Sequence, residues 1–97
     1  MKYWLHPGAE NDLRDAAAFY RKHADTRLSQ ALFTEFEHAV SLLLQHPGVG
    51  ALWRNGKRRY IMRRFPYSII YIGVNEEIRI LAIAHHSRRP EYWRGRK

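Results

Sequence analysis

Two stretches of the 97-residue chain collect the side chains that can do chemistry. One is Lys57-Arg58-Arg59, continued by Arg63-Arg64; the other is the tail His85-His86-Ser87-Arg88-Arg89-Pro90-Glu91-Tyr92-Trp93. Guanidinium and ammonium groups hold anions, and aromatic rings beside them can stack on flat partners. Histidine is the residue type in either stretch that exchanges protons near neutral pH, whereas arginine stays protonated and makes a poor base. The charge distribution singles out the same half of the chain. Residues 1–48 hold five basic and six acidic side chains, whereas residues 49–97 hold twelve and three, for a net charge of +8. A basic surface serving solubility alone would spread over the whole chain. This asymmetry points to a polyanionic partner, either nucleic acid or an acidic protein segment.

Other chemistries are excluded by what the sequence lacks. Without cysteine there is no disulfide, thiolate metal site or cysteine nucleophile, which suits a reducing cytosol. His6, His23, His38 and His46 are scattered without metal-ligand spacing. There is no glycine-rich phosphate loop, and neither Ser68 nor Ser87 sits in a nucleophile elbow. No metal and no cofactor is therefore expected. The N-terminus lacks the apolar stretch of a signal peptide. The aliphatic runs Leu42–Leu44 and Ile69–Ile72 are too short to span a bilayer. The expectation is a soluble cytoplasmic protein with no membrane partner, one domain over residues 1–97.

The elements that must position these residues follow from periodicity. Lys2 to Leu5 reads as a short strand stopped by Pro7-Gly8. Ala9, Leu13, Ala16, Ala17, Tyr20 and Ala24 form one apolar face of a helix over roughly residues 9–23, with Glu10, Asp12, Arg14, Asp15, Arg21 and Lys22 opposite. Asp25 or Thr26 caps a second helix with the stripe Leu28, Leu32, Phe36, Ala39, Val40 and Leu43, ended by His46-Pro47-Gly48. A glycine-punctuated connector carrying Trp53 follows. Then the period switches to alternation: a strand around Arg59 to Arg63, a doubly apolar strand Tyr67 to Ile72, hairpin chemistry at Gly73-Val74-Asn75-Glu76, and a strand Ile78 to Ala84. This order predicts an α+β fold, a short N-terminal strand and a helical hairpin packed on a mainly antiparallel sheet.

Arg63-Arg64-Phe65-Pro66-Tyr67-Ser68-Ile69-Ile70-Tyr71, the strand Ile78 to Ala84, and the tail with its His-x-x-Arg-x-Pro-x-Tyr-Trp pattern together resemble the RelE/ParE superfamily. The helix start at Ala9 to Leu13 and the stop His46-Pro47-Gly48-Val49-Gly50 agree with it, so the resemblance covers nearly the whole chain. It implies the toxin of a bacterial type II toxin–antitoxin pair, a growth inhibitor neutralised by a co-expressed antitoxin that wraps it. The fold does not choose the target: RelE-like members cleave mRNA on the ribosome without metal, and ParE-like members inhibit DNA gyrase.

For RNA cleavage the resemblance implies a site drawn from Arg63, Arg88 and Tyr92, with His85 or His86 as the base. The pattern departs from RelE-like sites where Ser68 replaces an arginine and Ile61 a lysine, which tilts the expectation toward gyrase. Lys57, Arg58, Arg59, Arg64, Arg89 and Trp93 are the candidates for contacting the target or nucleic acid. Strand alternation should divide the basic run between two faces. Trp93 is expected to pin the tail to the core. His85 is open between a packed strand-end residue and a functional one, and His86 should be exposed. An antitoxin-binding module without activity is the third reading.

Overall fold

The period switch near residue 50 is where helices give way to sheet. A computed structural model describes residues 1–89 and 91–97; Pro90 of the tail motif lies outside them. Strand β1 (Lys2–Leu5) leads into helix α1 (Pro7–His23) and helix α2 (Thr26–Gln45). Strands β2 (Ala51–Leu52), β3 (Arg58–Ile61), β4 (Tyr67–Val74) and β5 (Glu77–His85) follow, with a 3₁₀ turn at Arg54–Gly56. The sheet order is β1-β5-β4-β3-β2. Among the described residues β1 runs parallel to its neighbour β5, and the other pairings are antiparallel.

The expected elements are present, with two boundaries changed and one cap settled, each for a physical reason. Helix α1 begins at Pro7, not Ala9. Proline suits a first helical position, where its missing N–H has no acceptor anyway, and His6 Nδ1 accepts the Gly8 N–H at 2.9 Å. Asp25, not Thr26, caps α2, its carboxylate accepting the Leu28 N–H at 2.7 Å. Residues Ala51 and Leu52 of the expected connector form an edge strand on β3, opposite Arg59 and Arg58.

Helix α1 buries Ala9, Leu13, Ala16 and Ala17, and α2 buries Leu32, Phe36, Ala39, Val40 and Leu43. Both pack on Met62, Phe65, Tyr67, Ile69, Tyr71, Ile78, Ile80 and Ile83. The β4–β5 hairpin turns at Asn75 (φ 50°) and Glu76 (φ 62°). Two consecutive positive φ angles match the right-handed twist of the flanking strands. Ile70 pairs with Ala82 but Tyr71 with Ile80, leaving Leu81 as an extra residue in β5. This bulge places both Ile80 and Ile83 in the core under the helices, while Ala82 joins Ile70 in a second, smaller cluster. Trp93 from the tail closes that cluster with only 5% of its surface exposed, so the tail is pinned as expected. No helix among the described residues is long and apolar enough to cross a membrane.

Candidate functional site

The site begins with an edge. Strand β1 ends at Leu5 opposite Ile80, while β5 continues to His85. Among the described residues the β5 backbone beyond Ile80 therefore has no strand partner on that side, and unpaired backbone groups away from water are costly. Side chains from two other elements satisfy them. Asp12 Oδ2, on α1, accepts the Ile83 N–H at 3.1 Å. Arg96 Nη1 donates to the Leu81 carbonyl at 3.0 Å, and Tyr92 Oη lies 3.2 Å from the Ile83 carbonyl. The same groups meet one another: Tyr92 Oη donates to Asp12 Oδ2 at 2.9 Å, and Arg96 Nη1 does so at 2.8 Å. Arg88 Nη1 stands 3.6 Å from Asp12 Oδ1, with its guanidinium carbon 3.7 Å from the centroid of the Tyr92 ring.

Asp12, expected on the polar side of α1, is instead buried, with only 7% of it exposed. The signal was present, because Ala9, Asp12, Leu13 and Ala16 are spaced i, i+3, i+4 and i+7, which is the core stripe. Its polarity hid it. A carboxylate is tolerated there because it receives a backbone N–H, a phenol and a guanidinium.

The tail thus anchored covers one end of the sheet's second face and leaves a cleft of about 200 Å³. Trp53, Arg59, Ser68, Ile70, Ala84, His85, His86, Arg88, Arg89, Glu91, Tyr92 and Trp93 line it. Four of the five residues expected for cleavage chemistry meet here: His85, His86, Arg88 and Tyr92. Arg63 does not; it is exposed in the turn between β3 and β4. His85 pairs with Tyr67 in register, its ring edge-on to that phenol at 4.9 Å. Its Nδ1 accepts the Ser87 N–H at 3.0 Å and lies 2.7 Å from Ser87 Oγ. His86 is exposed, with Nε2 2.9 Å from the buried Ser68 hydroxyl. Burial, then the adjacent Asp12 carboxylate, holds the Tyr92 phenol well above its ordinary pKa, outweighing Arg88 and Arg96. The shift favours the protonated phenol, the form that donates to Asp12.

The cationic candidates divide as alternation requires. Arg59 lines the cleft with its guanidinium 5.5 Å from the Trp53 ring, and Arg89 lines it from the tail. Lys57 borders the adjoining depression with Trp53, Arg54, Glu91 and Trp93. Arg58 turns away, donating to the carbonyls of Gly50 at 2.8 Å and Gly48 at 3.3 Å. Arg64 sits over Phe65 and borders a groove on α2 with Glu35 and His38. Arg58, Arg63 and Arg64 are thus separate from the cleft. Trp53, Ser68 and Glu91, unassigned from sequence, belong to it; Glu91 is held between Arg54 at 3.5 Å and Arg94 at 3.4 Å.

Known proteins resemble this chain in sequence and fold. Residues 3–90 match the family described as ParE toxin of type II toxin-antitoxin system, parDE. Toxin ParE2 from two strains of Mycobacterium tuberculosis, CDC 1551 / Oshkosh and H37Rv, is 31% identical over 87 residues, 89% of this chain and 82% of the relative. A solved structure of the chromosomal ParDE system from P. aeruginosa has the same fold. It superposes with a TM-score of 0.77 at 23% identity, over 88% of this chain and 95% of that one. The chain belongs to the ParE toxin family, as the toxin of a type II toxin–antitoxin system whose partner is a cognate antitoxin.

Proposed function

We propose that this toxin arrests growth by inhibiting DNA gyrase, with the tail cleft and its cationic rim as the contact surface. The observation that carries this reading is that Tyr92, Arg88 and His85, three of the side chains an RNA-cleaving site would draw on, are already engaged by Asp12 and Ser87. Arg63 lies outside the cleft, and Ser68 and Ile61 stand where such a site would carry cations. The remaining guanidiniums can hold an anion but cannot take a proton from a 2′-hydroxyl. A surface that binds a protein needs shape, an aromatic anchor and charge, and the cleft supplies Trp53, Arg59 and Arg89 around a stacked tyrosine. Gyrase as the target puts the toxin's action in the cytoplasm.

The test is a pair of assays on the purified toxin. Gyrase supercoiling should be inhibited and the inhibition reversed by antitoxin, while translating ribosomes should give no new mRNA ends. Ribosome-dependent cleavage abolished by His85→Ala or His86→Ala, with supercoiling unaffected, would overturn the proposal in favour of the nuclease.

A further inference from the structure

We infer that Asp12 is a positioning residue for toxicity, holding Arg88 and Tyr92 stacked as one wall of the cleft. It touches no target itself. Its carboxylate is the point at which α1, the open edge of β5 and the tail converge. The Oδ2 atom takes the Ile83 N–H, the Tyr92 hydroxyl and Arg96 Nη1, within 3.1, 2.9 and 2.8 Å. The Oδ1 atom faces Arg88 Nη1 at 3.6 Å. Arg88 is half exposed, so without this carboxylate the Tyr92 ring face, 3.7 Å away, is what among the described residues would fix its direction. A long exposed side chain populates many rotamers, and ordering it in advance removes that entropy from the binding step. Because Asp12 also satisfies β5 backbone, its place is set by the fold and not by the tail. The wall therefore inherits the rigidity of the sheet. The inference rests on the cleft being the contact surface and is independent of which target it meets.

Asp12→Asn keeps the size and an acceptor for Ile83 but removes the charge that Arg88 and Arg96 face. Growth arrest on induction without antitoxin should weaken roughly twofold to fivefold, the worth of one half-exposed ion pair. In NMR spectra the Arg88 side-chain signals, shifted upfield by the Tyr92 ring, should move toward random-coil positions while the core methyl signals stay put. Arg88→Ala should weaken arrest comparably, and the double variant little further, since the two act through one contact. Full toxicity of Asp12→Asn beside a weakened Arg88→Ala overturns the role of Asp12 and leaves the cleft standing. Full toxicity of Arg88→Ala overturns both. Lost toxicity with the Arg88 signals unmoved also overturns the inference. Should Asp12→Asn fail to fold, Tyr92→Phe removes one link of the knot while keeping the ring. It should move the Arg88 signals and lower toxicity, and unchanged toxicity there sinks the inference.

Discussion

At the scale of single residues, the His46-to-Gly50 stop motif is explained by one tyrosine. Tyr71 is 1% exposed; its hydroxyl donates to the Pro47 carbonyl at 2.8 Å and accepts the Gly50 N–H at 2.9 Å. A β-carbon on Gly50 would come within 2.7 Å of that hydroxyl and 2.8 Å of the ring. Because the ring is held from both sides, Gly50→Ala should destabilise the fold by about 1–3 kcal/mol in urea unfolding. Tyr67 gives a pH signature. Burial, with Tyr20 adding in the same direction, pushes its phenol up to about 12. The unfolded chain releases that proton from about pH 10, whereas the folded chain keeps it. The contribution to stability is thus complete below pH 10 and is lost as pH rises to about 12. Unfolding midpoints should fall across that window, more shallowly in Tyr67→Phe. Tyr20, Tyr71 and Tyr92 shift in the same direction and supply the remainder of the fall.

At the scale of elements, the tail acts as the second layer of the sheet. One face of β4 and β5 is covered by the helices, and the other would leave Ile70 and Ala82 in water if Trp93 did not lie on them. A tryptophan buried to this extent carries much of the stability of a small domain. Trp93→Ala should cost about 3–5 kcal/mol and increase binding of a hydrophobic dye. A loss under about 1 kcal/mol in thermal unfolding would mean that the tail is undocked in solution. Helix α1 takes part from the other side, since a β-carbon on Gly8 would lie 2.5 Å from Cζ of Arg96, the arginine that bridges Asp12 and Leu81. Tail and first helical turn are thus packed against each other through this arginine.

At the scale of the whole molecule, a net charge of +8 concentrated after residue 48 is expected to govern how the antitoxin is met. The helical hairpin leaves Phe19 and Phe33 exposed, at 54% and 39%, as an amphipathic segment lying along it would require. Charge complementarity speeds encounter more than it strengthens the docked state. Raising salt should therefore slow association of toxin and antitoxin by roughly tenfold or more while dissociation changes little. Surface-resonance kinetics at several salt concentrations check this, and a salt-independent association rate would discard the electrostatic component.

Local chemistry in the sequence determined both helices, the strands β3 to β5, the Asn75-Glu76 turn, the charge split between the halves and the docking of Trp93. Each depends on neighbours within a few residues, or on a side chain with one comfortable environment. The tertiary structure alone decided the rest. Which arginines enter the cleft depended on register: Arg59 faces Trp53, while Arg58, one residue away, turns to Gly48 and Gly50. The edge strand Ala51–Leu52 exists only because β3 offers it a partner. The role of Asp12 arises from an event some seventy residues later in the chain. Because β1 ends opposite Ile80 and β5 carries an extra residue at Leu81, a row of backbone groups is left open. Only a buried acceptor on α1, together with donors from the tail, can close it. Periodicity reports which side of a helix faces the core, but not that the core at that point is polar.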